Sequence, residues 1–255
     1  MDLMTILVAI IPPLYLFYYI YQMDKVEKEP LGLLIKLFFF GVLSVIPIVI
    51  LELIFSNLLA IKMAHLATDF LGYNSYQIIQ NFLIIALVEE GFKFLFLKWG
   101  SWKDKNFNCH FDALVYACVV SLGFATLENL LYVYSYGFEN ALLRAFTAIP
   151  GHFCFGVFMG YYYSDAKYYY LNQRKGNYRL YLLLSVIVPT LLHGFYDYVL
   201  TLEYSWVFIL FLIYIIMMDY LALKHIKRMS QEDRYLDLRA TSSLKINEGE
   251  EINYE

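Results

Sequence analysis

Seven apolar runs, each long enough to cross a bilayer as a helix, dominate this chain: roughly 3–21, 31–55, 77–97, 111–135, 141–163, 180–201 and 204–223. About 18 consecutive apolar residues suffice for a helical span. The strict alternation of a membrane β-barrel is absent, and in lipid the backbone must satisfy its own polar groups, so these runs read as helices. The fold expected is an all-α polytopic membrane protein with about seven transmembrane helices. Composition agrees: only 16% of the 255 residues are charged, against about 25% in soluble domains.

Lysine and arginine predict the orientation. Fifteen of them fall in the segments 22–30, 98–110, 164–179 and the tail after 223, and only Lys62 falls in the alternate connections. Positive residues favour the cytoplasmic side, which places the N-terminus outside and the C-terminus in the cytoplasm. The first run begins MDLMT, without a basic leader or a small-residue cleavage site, and reads as a retained helix. Residues 1–223 are expected to form one membrane-embedded domain, and the polar tail 224–255 to be disordered. Segment 56–76 is mildly amphipathic and expected on the outer surface. No basic patch points to nucleic acid, and the three cysteines show no disulfide or CxxC spacing.

Several polar residues near span ends need only an interfacial reading. Lys36 and Arg144 can snorkel, and Glu52, Asp112, Asp165 and Asp219 can reach water. Others lie too deep. The third span carries Glu89, Glu90 and Lys93; the fourth Glu128 and Asn129; the fifth His152; the sixth His193 and Asp197. One ionised side chain costs about 2.5–3.5 kcal/mol at the centre of a lipid-facing helix, so a set of five would cost on the order of 12–17 kcal/mol on that scale. They are therefore expected to face one another or a water-filled cavity. At 1.5 Å rise per residue, Glu89, His152 and His193 all fall roughly 16–21 Å from a membrane face. Lys93 can pair with either glutamate at i+4 and i+3, and Asp197 can accept from His193 at i+4. Gly156 and Gly160 continue the His152 face and are expected to open a narrow groove for a helix or a substrate backbone.

These residues fall into four ordered motifs: Glu89-Glu90-Lys93 in VEEGFK, Phe124-Glu128-Asn129 in FATLEN, His152-Gly156 in PGHFCFG and His193-Asp197 in LHGFYD. The set resembles the PrsW-type intramembrane proteases, relatives of the CAAX-processing proteases, over about residues 77–201. The resemblance implies peptide-bond hydrolysis at the bacterial cytoplasmic membrane. It also implies a single-pass membrane protein as substrate, with an anti-sigma factor cut on its outer side (site 1) so that a sigma factor is released.

The chemistry expected is glutamate-dependent. Glu89 or Glu90 acts as base on a water, with a histidine, His152 or His193, sharing the proton. Lys93 fixes the glutamates, Glu128 supports the site, Asp197 orients His193, and Asn129 or a protonated histidine meets the oxyanion. Phe124 and Gly156 line the substrate groove. No cofactor is favoured. The metal alternative is zinc on Glu90, His152 and His193, a known catalytic ligand set, although HExxH is absent. A non-enzymatic proton-coupled transporter or receptor is the rival from another class, weakened by the lack of a repeat of two halves.

Overall fold

The computed structural model describes residues 3–63, 70–202 and 204–237. Its elements are α1 (Leu3–Met23), α2 (Leu31–Met63), α3 (Phe70–Ile78), a π-helix (Ile79–Ala86), α4 (Leu87–Ser101), α5 (Asp112–Phe146), α6 (Ala148–Leu171), α7 (Lys175–Leu200) and α8 (Ser205–Gln231). Among the described residues there is no strand, only an isolated bridge between Cys109 and Tyr235. By length and hydropathy, Leu3–Met23, Leu31–Met63, Asp112–Leu171, Asn177–Leu200 and Trp206–Gln231 can cross a membrane, and the 60-residue stretch among them holds both α5 and α6. The expected run 77–97 is covered instead by the π-helix and α4, continuous with α3.

The centre of the bundle is α5. From Ala113 to Ala125 it is buried on every side, the condition of a helix that is apolar all round. Small residues let its neighbours come close. A Cβ at Gly41 would run into the Val120 carbonyl, and one at Gly123 into that of Phe38, so α2 and α5 cross backbone to backbone there. Lipid is met by the outer faces, where Ile46, Ile50 and Leu53 of α2 and Ile209, Ile213 and Ile216 of α8 are exposed. Such a large apolar surface marks a membrane protein.

Three boundaries differ from expectation. Helix α2 runs through 56–63 rather than ending near 55, giving 33 residues and about 50 Å of length. The expected surface segment 56–76 is thus divided between α2 and α3, with 64–69 outside the described residues. Helix α8 continues to Gln231, past the expected limit of 223. Residues beyond it pack back instead of trailing away: the Leu236 amide donates to the Asn108 carbonyl at 2.7 Å, that of His110 to Arg234 at 3.0 Å, and Leu236 is buried. The remainder of the tail, 238–255, lies outside the described residues.

Third, α5 breaks at Gly137, with φ 79° and ψ −166°, a conformation that glycine adopts freely and other residues do not. Residues 138–146 therefore form a separate short piece before α6 starts at Ala148. The fifth apolar run is bent rather than straight, and the bent piece carries Arg144.

Candidate active site

Four helices deliver the deep polar groups to one place. The i, i+3 and i+4 spacing on α4 stacks Glu89, Glu90 and Lys93 on one face. Lys93 Nζ lies 3.0 Å from Glu89 Oε2 and 2.8 Å from Glu90 Oε1. Its third neighbour comes from α6, His152 Nδ1 at 3.2 Å. An ammonium has three hydrogens and no acceptor, so all three are used here. The Phe124 ring of α5 lies 3.9 Å beneath the same nitrogen, adding a cation–π contact.

That arrangement assigns the proton on His152. Nδ1 accepts from Lys93, so a neutral ring carries its hydrogen on Nε2. Nε2 donates to Glu128 Oε2 at 2.9 Å. The other histidine faces two carboxylates. His193 Nδ1 is 3.0 Å from Glu90 Oε1 and 3.8 Å from Glu89 Oε2, and Nε2 is 3.2 Å from Asp197 Oδ2. With both carboxylates ionised, both ring nitrogens must donate and the ring is an imidazolium. Phe155 stacks on it at 4.8 Å, and the two histidine rings meet edge to face at 5.3 Å.

A cavity of ≈ 230 Å³ opens beside these rings. Its wall includes His152, His193, Asp197, Glu128, Arg144 and Tyr132. Glu89 and Glu90 do not line it and stand one layer behind, against His193. Glu89 keeps 6% of its side chain accessible and Glu90 none.

Some expected roles change. Phe124 and Gly156 do not line this cavity. Phe124 is the floor under Lys93, and a Cβ at Gly156 would press on the Cys118 backbone and one at Gly160 on Ala113 and Leu114. The groove on that face is filled by α5. Asn129 does not line the cavity either: its amide nitrogen donates one hydrogen to the Ala9 carbonyl at 3.3 Å, and its oxygen accepts from Arg144 Nε at 3.0 Å. Nor does Arg144 snorkel outward. Its Nη2 donates to Glu128 Oε2 at 2.6 Å and its guanidinium covers the Tyr132 ring at 3.9 Å. Glu52 is not free at the outer end of α2 either, since its Oε1 is buried without a partner. Arg144 as an arginine inside the apolar run ALLRAF, and Glu52 as a glutamate inside ILELIF, were the signals available in the sequence.

Glu89, Glu90, His152 and His193 each offer a ligand atom within 4.8 Å of the others, and by type they suit zinc. The Lys93 ammonium bonds three of these four groups, so a metal there would have to share or displace that contact.

Fold and site together define a polytopic membrane protein with a buried acid–base centre beside a small cavity. The family model described as "PrsW family intramembrane metalloprotease" matches residues 29–223. Proteins named Protease PrsW are 38% identical over 222 residues in Clostridioides difficile (86% of this chain, 88% of that one) and 34% over 200 residues in Bacillus subtilis (78% and 84%). That of Oceanobacillus iheyensis is 38% identical over 192 residues (75% and 80%). No solved structure matches. The chain belongs to the PrsW family of intramembrane proteases. It is a membrane-embedded peptidase of the cell membrane, acting on membrane protein in a lipid setting.

Proposed function

We infer that this peptidase is glutamate-dependent and makes the outer-side cut in a single-pass anti-sigma factor. The observation that carries the chemistry is Lys93, whose ammonium sits among Glu89, Glu90 and His152. It bonds both carboxylates and sits among the groups a metal would need. The substrate rests on family membership alone.

Glu89 is the base in this reading, because it keeps 6% of its side chain accessible where Glu90 keeps none. It takes a proton as the water oxygen bonds to the scissile carbonyl carbon and the carbonyl π electrons move to oxygen. The tetrahedral carbon then expels the amine, whose nitrogen takes a proton from the His193 imidazolium. Transfer of the proton on Glu89 to His193 Nδ1, 3.8 Å away, restores the starting state. Glu90 and Asp197 hold His193 charged, and Glu128 holds the His152 tautomer. General acid–base help of this kind contributes about 10²–10⁴ in rate.

The test is co-expression with candidate single-pass anti-sigma factors and mapping of any new N-terminus. Glu89→Gln and Glu90→Gln should each abolish the cut at unchanged protein level, and full activity in Glu89→Gln would move the base elsewhere. The family model's description favours the metal reading, so elemental analysis is the second arm. The purified protein should carry no stoichiometric zinc. One zinc per chain, lost in His152→Ala, would reverse the choice.

A further inference from the structure

The proposed mechanism leaves a charge without a partner: the oxyanion that forms when water adds to the carbonyl. Peptide hydrolysis needs donors aimed at that oxygen. Asn129 is not placed to supply one, since it does not line the cavity and its amide is turned to Ala9 and Arg144. Lys93 has spent its three hydrogens, and His152 points its only one at Glu128.

Arg144 remains. It lines the cavity beside His152 and His193, and its side chain is 14% accessible. Guanidinium carries five N–H donors in a rigid plane. Two of them are used, one from Nε to Asn129 and one from Nη2 to Glu128. Among the described residues, no protein acceptor meets Nη1. The plane is held at three points, by the Asn129 amide, the Glu128 carboxylate and the Tyr132 face. Such bracing is what a preorganised donor requires, because a donor fixed in advance does not reorganise as charge develops. The backbone is arranged for it as well. The turn at Gly137 folds 138–146 back on α5, which brings Arg144 level with Glu128, sixteen residues earlier.

We propose that Arg144 is a further catalytic residue, whose free guanidinium N–H groups bind the scissile carbonyl oxygen and stabilise the oxyanion. Glu128 and Asn129 are then positioning residues for it, which explains why the pair stands adjacent on one helix. No proton leaves Arg144 in the step. The oxygen gains the π electron pair, is held by the N–H donors, and returns the pair to carbon as the C–N bond breaks. The proposal rests on the proteolytic reading of the site but not on which glutamate is the base.

The competing account is that Arg144 only neutralises Glu128. The two part in kinetics. Enzyme reconstituted in vesicles is assayed on a single-pass substrate, and a phosphinic peptide built on the mapped cleavage sequence serves as a tetrahedral oxyanion mimic. Arg144→Met should lower kcat about 10²–10³-fold, the usual cost of one lost oxyanion donor, with KM within about threefold. Its affinity for the phosphinic peptide should fall by a similar factor to kcat. Arg144→Lys, which keeps the charge but not the fork, should recover only part of kcat and guards against a misfolded methionine variant. Arg144→Met/Glu128→Gln removes both charges and should stay as slow as Arg144→Met. Recovery of kcat in that double variant, or equal losses of substrate and phosphinate affinity in Arg144→Met, would overturn the proposal. Failure of the glutamate reading shows separately, as activity in Glu89→Gln.

Discussion

Lys93 decides most at the level of single residues. Three of its neighbours are potential metal ligands, and the fourth is an aromatic face. A buried ammonium is expensive unless paired, and here every hydrogen has an acceptor. Removing it exposes the consequence. In Lys93→Ala the four donors lose their resident cation, and the variant should bind one cobalt or zinc per chain where the parent binds none. Cobalt absorption bands of a tetrahedral N/O site are the readout, with peptidase activity lost at the same time. Absence of cobalt binding in a helical, folded variant would show that the donors do not form a site even when emptied. Adjacent glutamates in an apolar run already announce a buried charged site. That the lysine sits between them and His152 follows only from the crossing of α4 and α6.

Among the elements, α5 carries both packing and chemistry. Its small residues admit α2 and α6 at close range, and its C-terminal part bends at Gly137 to return Arg144. Gly123→Val sets two methyl groups against the Phe38 carbonyl, a backbone atom that cannot swing aside. Overpacking of this kind costs about 1–3 kcal/mol, so the thermal midpoint in detergent should drop, while the exposed Ile213→Val on α8 should leave it unchanged. A second contact joins the 24–30 loop to α5 and to the segment after α8. Tyr116 donates to Glu29 at 2.6 Å, the Glu29 amide to Asp24 at 3.2 Å, the Phe111 amide to Asp233 at 2.9 Å, and the Asn108 amide group to Glu27 at 3.1 Å.

Burial pushes the Glu29 carboxyl up from 4.5 to about 7 and the Asp24 carboxyl from 3.8 to about 6. Asp112, Asp233 and Glu27 face them, with Lys28 the cation nearby. A raised carboxyl pKa means that the folded form binds the proton more tightly. Its stabilising contribution is complete below about pH 4 and is lost as pH climbs to about 7. Amide exchange in 24–30 and 232–236 should therefore speed up over that window beyond its intrinsic pH dependence. Glu29→Gln, which cannot ionise, should flatten the upper part of the change.

For the whole molecule, the lysine and arginine pattern predicts which side each loop occupies. A reporter fused after residue 255 should be cytoplasmic, and one placed between 56 and 76 external; the reverse result would discard the orientation and with it the outer-side cut. The number and type of elements could be read early because lipid leaves the backbone few choices. Their ends could not. Helix α2 is longer than a bilayer crossing needs, α8 extends beyond its apolar stretch, and residues 232–236 bury Leu236 through contacts with 108–110 that hydropathy does not report.

By itself the sequence determined the helical membrane class, the PrsW resemblance, and the set of polar residues that had to meet, because charge deep in an apolar helix is too costly to stand alone. The pairs within one helix were legible too, since a fixed 3.6-residue period places i, i+3 and i+4 together. Tertiary structure alone decided how the helices share those groups. It put Lys93 among Glu89, Glu90 and His152, assigned the His152 proton by an ammonium from another helix, filled the Gly156 face with α5, and turned Arg144 from the interface toward Glu128. Each of these is a contact between segments set by crossing positions and a backbone bend, and no period along a single chain encodes that.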